Sequence, residues 1–269
     1  MLETTPVTPF LKWAGGKRWL ARDYRSLFQL SDKDRYVEPF LGSGAVFFSL
    51  LPARALLNDA NAELIHTYNM LKDDWASVVA LLRRHQTRHC EDYYYAMRGS
   101  TPKSNAARAA RFLYLNRTCF NGLYRVNRKG QFNVPLGTKT AVLMESDDFE
   151  AVARALQGAE LASGDFEKII DACGQNDFVF ADPPYTVKHN NNGFVKYNER
   201  LFSWSDQERL QAALQRAAHR GARIVVSNAD HPSVRELYSG WQVETLYRHS
   251  VMASESTRRK RTSEVVMRR

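Results

Sequence analysis

The sequence predicts a doubly wound α/β fold with a mostly parallel sheet and one helical insertion. Residues 35–59 read as strand, glycine turn, helix and strand, which is the βαβ pattern of a parallel sheet. Residues 61–144 instead carry helical patterns and few strand features. Strand and helix patterns alternate again after this stretch. We therefore expect a core made of residues 1–60 and 145–269, with residues 61–144 as the insertion.

The first βαβ unit follows from its apolar pattern. A strand is predicted at 35–40, and the sequence Gly42-Ser43-Gly44 breaks it. A helix follows at 45–51, and a second strand at 54–58 ends at Asp59. The order of these elements places the glycine turn directly after the first strand.

The insertion begins with three predicted helices, at 61–74, 75–89 and 106–117. Residues 120–135 then form two extended arms around a turn at Asn127-Arg128-Lys129-Gly130. Because this segment is rich in arginine and lysine, we expect the insertion to end in a basic β-hairpin.

In the last part of the chain, the pattern predicts a helix at 148–158 and strands at 160–163 and 177–181. The polar segment 186–200 is expected to be a mobile loop. Ser205 and Glu208 form an S-x-x-E capping box, which predicts the start of a helix that ends at Gly221. The apolar face of this helix comprises Leu210, Ala213, Leu214, Ala217 and Ala218. Strands are predicted at 224–226, 243–246 and 264–267.

Composition narrows the class of protein. The 38 basic and 29 acidic residues give a net charge of +9, which favours a polyanionic partner because binding phosphates releases counterions. No apolar run approaches the roughly 18 residues that span a bilayer. Residues 1–13 have no basic segment followed by an apolar one, so we expect no secretory signal. The three cysteines are far apart, which argues against a disulfide framework or a zinc site. We expect a cytoplasmic protein without a metal or a membrane partner.

The sequence Asp182-Pro183-Pro184-Tyr185 directly follows a predicted buried strand. An exocyclic amine is a poor nucleophile because its lone pair is delocalised into the ring. The Asp182 carboxylate and the Pro183 carbonyl can accept its two hydrogens, which favours a pyramidal nitrogen. The prolines stiffen the turn, and Tyr185 offers a face for an extruded base. The alternative is a simple Asp-Pro turn that closes the strand.

The glycines in Glu38-Pro39-Phe40-Leu41-Gly42-Ser43-Gly44 allow a ligand to approach the backbone closely, next to a helix N-terminus. Asp59, at the end of the next strand, is placed to accept hydrogen bonds from a ribose. A nicotinamide cofactor would suit these features almost as well, but a dehydrogenase has no use for Asp-Pro-Pro-Tyr. A tight turn beside a surface acid is the alternative without a ligand.

A third motif, Phe10-Leu11-Lys12-Trp13-Ala14-Gly15-Gly16-Lys17, precedes the first strand. Trp13 could pack on a bound cofactor, and Lys17 could meet its carboxylate. An N-terminal arm with solvated lysines explains the same residues equally well.

Seven motifs occur in the order found in Dam-type DNA adenine-N6 methyltransferases: K-W-A-G-G-K, E-P-F-x-G-x-G, N-D-x-N, N-R-x-x-x-N-G-L-x-R, F-N-V-P-x-G, D-P-P-Y and S-N-x-D. The chain therefore resembles the enzymes that methylate the adenine of GATC, from about Pro9 to Met267. The resemblance implies a Rossmann-like methyltransferase core with a DNA target-recognition subdomain at 61–144. It also implies a cytoplasmic enzyme, commonly a monomer, acting on double-stranded DNA.

The resemblance implies S-adenosyl-L-methionine as cofactor and the Asp182-Pro183-Pro184-Tyr185 turn as catalytic site. It assigns cofactor binding to eleven positions: Trp13, Lys17, Glu38, Phe40, Gly42, Ser43, Gly44, Asp59, Asp165, Phe166 and Asp182. No metal is implied.

The same comparison assigns DNA contacts to Lys12, Asn116, Arg117, Phe120, Asn121, Leu123, Arg125, Asn133, Pro135 and Lys139. Arg125 stands where the family reads a guanine, Leu123 makes an apolar contact in the same readout, and Lys12 contacts the other guanine. Phe120 replaces a tyrosine that wedges into the space left by the flipped base; stacking does not need its hydroxyl.

Two features depart from the best-known GATC enzymes. Thr138-Lys139 replaces an arginine-tyrosine pair, which bears on phosphate contacts, processivity and outer-base preference. The tail Arg258-Arg259-Lys260-Arg261 is more basic than the family requires, and a solvated charge run explains it.

Methylation of cytosine N4 or of RNA, and a DNA-binding module without activity, stay open as alternatives. The resemblance leaves open whether the enzyme stands alone, is phage-borne or is paired with a nuclease.

Overall fold

The computed structural model describes residues 6–13, 15–127, 129–188, 202–249 and 261–269. Contacts within the chain divide it into two units. The first comprises Met1–Gln29 and Leu41–Gly164, and the second comprises Leu30–Phe40 and Asp165–Arg269. Four predictions fall wholly or partly on residues outside the description: Ala14, Arg128, most of the loop 186–200, and the basic tail 258–261.

Seven strands form one mixed sheet in the order β3-β2-β1-β4-β5-β7-β6. In the first unit β2 and β3 are parallel; in the second, β1, β4 and β5 are parallel and β7 is antiparallel to β5 and β6. The order reverses between β1 and β4, which confirms the predicted doubly wound fold. The strands are β1 (Arg35–Glu38), β2 (Ala55–Asp59), β3 (Ala159–Ser163), β4 (Asp177–Ala181), β5 (Arg223–Ala229), β6 (Gln242–His249) and β7 (Arg261–Arg268).

Three helices of the first unit, at 62–88, 91–99 and 105–118, lie within residues 61–144, the predicted insertion. Residues 62–88 form one helix with a kink at Asp74, whose backbone (φ −151°, ψ 56°) is not helical. The sequence predicted two helices there, at 61–74 and 75–89, and the break at Asp74 confirms that boundary. Asn61 caps this helix by accepting hydrogen bonds from the backbone of Glu63 and Leu64. The helices are α1 (Arg18–Asp23), α2 (Ala45–Leu50), α3 (Ala62–Arg88), α4 (Glu91–Gly99), α5 (Asn105–Thr118) and α6 (Phe149–Leu156).

The second unit contains α7 (Phe166–Asp171), α8 (Trp204–His219) and α9 (Pro232–Leu237). The predicted capping box is wrong: Ser203, not Ser205, caps α8 and pairs reciprocally with Asp206. Ser205 is instead the second residue of the helix. Both serines are followed three residues later by an acid, so the spacing alone could not choose between them.

The predicted hairpin arms are joined by two isolated antiparallel bridges, Cys119 with Leu136 and Val126 with Phe132. We call residues 119–137 the reading loop, after the base-reading role that the sequence predicts for them. Within the described residues, no helix is long and apolar enough to span a bilayer. The same residues hold no group of three or more His, Cys, Asp or Glu side chains that could bind a metal.

Candidate active site

The Asp182–Tyr185 segment, which we call the catalytic turn, leaves β4 at its carboxyl end. All five residues of β4 are buried, as their apolar run predicted. The Ser227 hydroxyl on the neighbouring strand β5 donates a hydrogen bond of 2.6 Å to Asp182 Oδ1. One oxygen of the predicted catalytic carboxylate is therefore fixed in direction by a buried donor.

Tyr185 is held at its far end. Its hydroxyl donates a 2.8 Å hydrogen bond to Oε2 of Glu264, a carboxylate that is only 3% exposed. Burial raises the pKa of Tyr185 well above its usual value, and the charges of Asp182 and Glu264 raise it further. The ring is therefore a neutral phenol at every physiological pH, anchored through its hydroxyl.

The middle of the catalytic turn is also supported. Gln207 on α8 donates to the Pro184 carbonyl oxygen at 3.2 Å, and Asn228 donates to the Gln207 side chain at 3.0 Å. Gln207 and Asn228 are completely buried. These contacts give the S-N-x-D motif a structural role, because Ser227 orients Asp182 while Asn228 orients Gln207.

Gln207 and Glu264 were not predicted as functional residues. Each interrupts a buried apolar pattern, Gln207 on the core face of α8 and Glu264 at the start of the last apolar run. Buried polar side chains persist when they have hydrogen-bond partners. A polar residue at a position that the pattern assigns to the core was therefore the available indication.

The end of β1 carries a second buried acid. Tyr36 donates a 2.8 Å hydrogen bond to Glu38 Oε2, and Glu38 is 3% exposed. The pKa of Tyr36 is raised well above its usual value by burial, with Glu38 and Asp182 as further causes. Glu38 is the last residue of β1, and Asp182 directly follows β4. They lie where β1 and β4 are neighbours and the sheet order reverses, the usual ligand site of an open α/β sheet.

Phe40, Phe166 and Phe202 form an aromatic cluster in the second unit. The Phe40 ring centroid lies 5.3 Å from that of Phe166 and 5.5 Å from that of Phe202. Asp165 caps α7 by accepting from the Glu167 backbone, and its other oxygen pairs with Arg209 at 2.9 Å. Three predicted cofactor residues, Phe40, Asp165 and Phe166, therefore lie close together in the second unit.

In the first unit, the glycine turn is joined to Asp59 and Trp13. Gly42 donates its N–H to Asp59 Oδ2 at 2.9 Å, and the Asn61 N–H binds the other oxygen at 2.9 Å. Gly42 has φ +49°, and a Cβ there would lie 2.8 Å from Trp13 Cδ1. Only glycine permits this backbone and this approach. Burial raises the pKa of Asp59, although the two backbone donors oppose the rise.

Ser43 and Lys17 are buried beside the same turn. Lys17 is 5% exposed and donates to the Gly15 carbonyl at 3.2 Å. A Cβ at Gly16 would lie 3.9 Å from Ser43 Oγ, so the Gly15-Gly16 segment passes the turn closely. Gly44 caps α2 with left-handed backbone (φ +62°). The predicted residues Trp13, Lys17, Gly42, Ser43 and Asp59 therefore occupy one region of the first unit.

The reading loop exposes apolar and cationic side chains. Phe120 is 51% exposed and Leu123 is 39% exposed. Arg125 is exposed, and its Nε donates a 2.8 Å hydrogen bond to Asn133 Oδ1 across the loop. Asn121 has left-handed backbone (φ +54°). The Pro135 carbonyl accepts a hydrogen bond from the Phe120 N–H. Lys139 is exposed.

Lys12 is fixed to the base of the reading loop. Asn116 accepts from the Lys12 N–H and donates to its carbonyl, and a Cβ at Gly122 would approach Lys12 Cβ to 2.6 Å. The Lys12 ammonium donates to the Arg117 carbonyl at 3.0 Å. Burial lowers the pKa of Lys12, and the positive charges of Arg117 and Lys139 lower it further. Asn116 is itself completely buried and also donates to the Gly122 carbonyl at 3.2 Å, so any part it plays in DNA binding is indirect.

Arg117 corrects one expectation. Its side chain has no exposed surface, and it binds Asp147 through both terminal nitrogens. It also donates to the carbonyls of Phe10 and Val142, each at 2.7 Å. A guanidinium so occupied has no donor left for a phosphate. Arg117 holds the N-terminal segment and residues 142–147 onto α5 and does not belong to a DNA-facing basic surface.

The model of one protein family, the D12 class N6 adenine-specific DNA methyltransferases, matches residues 13–254. The chain belongs to this family. It is an adenine-specific DNA methyltransferase, and S-adenosylmethionine is its methyl donor. DNA is its substrate.

Three relatives agree with this assignment. The type II methyltransferase M1.LlaDCHI of Lactococcus lactis subsp. cremoris is 35% identical, over 97% of this chain and 95% of the relative. The DNA N-6-adenine-methyltransferase of Escherichia phage P1 is 39% identical over 92% of this chain, but only 33% of the phage protein is covered. The DNA adenine methylase of Escherichia coli K12 is 32% identical over 93% of this chain and 91% of the relative.

The D12-family chain offers groups that suit the methyl donor in both units. A sulfonium and an ammonium are cations, which suit the buried Glu38 and half-buried Asp182 carboxylates in the second unit. A ribose diol suits the half-buried Asp59 carboxylate in the first unit, and Trp13 offers an aromatic face beside the glycine turn. The chemistry of the donor set therefore fits the cofactor.

Proposed function

We propose that this enzyme flips an adenine out of duplex DNA and methylates its N6 amino group, with GATC as the target. The observation that carries the proposal is the catalytic turn, whose carboxylate and tyrosine are each held by a hydrogen-bond partner at the end of a buried strand. In a duplex the base pair engages one N6 hydrogen, so a turn that accepts both hydrogens needs an extruded base.

The catalytic roles are assigned to Asp182, Pro183, Pro184 and Tyr185. The Asp182 carboxylate and the Pro183 carbonyl would accept the two N6 hydrogens, while the Tyr185 ring stacks on the base. Pro184 keeps the turn rigid. The cofactor supplies, when bound, a methyl carbon on a sulfonium sulfur. The N6 lone pair forms the new bond, the carbon–sulfur pair leaves with sulfur, and the amine then loses a proton through Asp182 or water. Positioning and preorganised acceptors supply the rate.

Cofactor binding is assigned within each unit. In the first unit the proposal includes Trp13, Lys17, Gly42, Ser43, Gly44 and Asp59, supported by the Trp13–Gly42 contact and the Gly42–Asp59 hydrogen bond. In the second it includes Glu38, Phe40, Asp165, Phe166 and Asp182, supported by the aromatic cluster and the buried Glu38 carboxylate.

DNA recognition is assigned to residues 61–144 and Lys12. Exposed Arg125, oriented by Asn133, suits bidentate contact with O6 and N7 of a guanine. Leu123 suits a methyl contact, and half-exposed Phe120 suits the space that the flipped base leaves. Asn121 and Pro135 would shape the loop, and Lys139 would contact phosphates. The GATC target rests on the motifs shared with the Dam-type enzymes, and we propose that the enzyme acts as a monomer.

One experiment tests target and product together. Purified enzyme is incubated with the donor and plasmid DNA, and the modified nucleosides are identified by mass spectrometry after digestion, with methylated positions mapped by sequencing. We expect N6-methyladenine within GATC. N4-methylcytosine, or N6-methyladenine outside GATC, contradicts the proposal. Wild-type activity no higher than that of Asp182→Ala would favour a DNA-binding module, and methylation confined to RNA would exclude the DNA target.

A further inference from the structure

The first unit contains a column of four aromatic rings that begins at the glycine turn and ends in the reading loop. Tyr124 is its central member. Its ring lies 5.9 Å from that of Trp13 at an angle of 23°, which is a stacked arrangement. It also lies 5.0 Å from Phe112 on α5 and 5.6 Å from Phe132 on the opposite arm of the loop. We call Trp13, Tyr124, Phe112 and Phe132 the aromatic column.

One end of the column rests on the proposed cofactor region. The Trp13 indole is so close to Gly42 that a side chain there would overlap it, with contacts of 2.8 and 2.9 Å to Cδ1 and Nε1. The Tyr68 hydroxyl fixes the same glycine by donating to its carbonyl at 3.0 Å. The position of the indole is therefore set by the conformation of the glycine turn.

The other end lies within the base-reading sequence. Tyr124 is preceded by Leu123 and followed by Arg125, both of which are exposed while the Tyr124 ring is half-buried. The stacked Trp13 indole therefore connects this ring with the glycine turn, whose Gly42 N–H binds Asp59.

We propose that Tyr124 is a positioning residue that couples cofactor binding at the glycine turn to base reading by Leu123 and Arg125. The inference rests on the proposed function, because it uses the roles assigned there to Trp13 and Arg125. A ligand that fixes the Trp13 indole also fixes the Tyr124 ring, and a fixed ring holds the backbone on both sides of it. When one ligand has ordered these residues, less conformational free energy is lost on binding the other ligand.

Such coupling is reciprocal by thermodynamic necessity, so it can be measured from either ligand. Adjacent packing alone does not establish it, and a change in the coupling itself is the required evidence. We define the coupling factor as the Kd of the cofactor without DNA divided by its Kd with saturating DNA. The ratio cancels any uniform loss of cofactor affinity.

The test measures the coupling factor by titration calorimetry with S-adenosylhomocysteine, which transfers no methyl group. The DNA is a short duplex that contains the adenine mapped as the wild-type target, whatever its flanking bases. We expect a factor of about 5 or more for the wild type, within the usual range for coupled sites. Tyr124→Leu should reduce the factor to near one. Tyr124→Phe, which keeps the ring and loses only the hydroxyl, should keep most of it.

Tyr247→Leu is the matched control, because it removes a tyrosine ring that is 59% exposed on β6. Its coupling factor should equal the wild-type value. If Tyr124→Leu melts too low for calorimetry, Tyr124→Met replaces it, since methionine fills irregular space without a ring. A wild-type factor of one, or a non-aromatic variant with the wild-type factor, overturns the inference. A target other than GATC overturns only the proposed function, since the duplex is chosen by mapping.

Discussion

The catalytic turn and the reading loop are built in opposite ways. In the turn, Asp182, Pro184 and Tyr185 each have a hydrogen-bond partner from another element of the second unit. The reading loop leaves Phe120 and Leu123 exposed and has two isolated bridges between its arms. The difference indicates that groups proposed to act on one amine are fixed in advance, while groups proposed to read bases stay accessible.

Arg117 marks the boundary between the buried end of α5 and the exposed reading loop. It lies three residues before Phe120 but is fully buried. Replacing it with alanine leaves the buried Asp147 carboxylate without its cation, which should lower the free energy of unfolding by about 3–5 kcal/mol. Urea denaturation measures this loss. Arg125→Ala is the comparison, since removing an exposed arginine should change stability little. Equal stability of the two variants would show that Arg117 is not structural.

Asp182→Asn tests the catalytic turn at nearly constant volume. The amide places an N–H₂ group where an acceptor is required, so kcat should fall by about 10²–10³, the usual cost of one preorganised hydrogen-bonding group. Asp171→Asn is the matched control, because this acid forms an exposed ion pair with Arg216 that contributes little. Single-turnover kinetics should show the loss in the chemical step. A loss confined to KM would contradict a role in catalysis.

Arg125→Ala tests the reading loop. Losing a bidentate guanine contact should cost about 1–3 kcal/mol of discrimination between GATC and a site altered at that guanine. Binding to unrelated DNA should fall much less. Competition binding with matched and altered duplexes measures the difference. An equal loss on all sequences would assign Arg125 to phosphate contact.

The smallest expected effect is the pH dependence of Lys12. Its lowered pKa means that its positive charge is complete below that value and is lost as the pH rises through it, earlier than for an ordinary lysine near 10.5. Affinity for DNA should therefore decline by a few-fold at moderately alkaline pH. Lys12→Arg, which keeps its charge, should flatten this decline. An unchanged profile in the variant would exclude Lys12 as the titrating group.

The local sequence pattern was sufficient to predict elements whose burial depends on residues nearby in the sequence. The all-buried strand 177–181 and the glycine turn are examples. The pattern was not sufficient where residues far away in the sequence determine the environment of a side chain. Nothing around Arg117 indicated that Asp147 and the Phe10 carbonyl would enclose it. The choice between Ser203 and Ser205 as cap, and the support of the catalytic turn by Gln207 and Glu264, likewise depend on tertiary contacts.

The proposed chemistry depends on extrusion of the target adenine from the duplex. The affinity of the enzyme for a duplex whose target adenine is unpaired tests this extrusion directly. The thymine opposite the target is replaced by an abasic residue, which removes the pairing energy that flipping must overcome. An abasic residue in the pair just outside the four-base site is the control. We predict tighter binding, by about tenfold or more, for the first duplex alone. Equal or weaker binding than to the intact duplex would contradict extrusion.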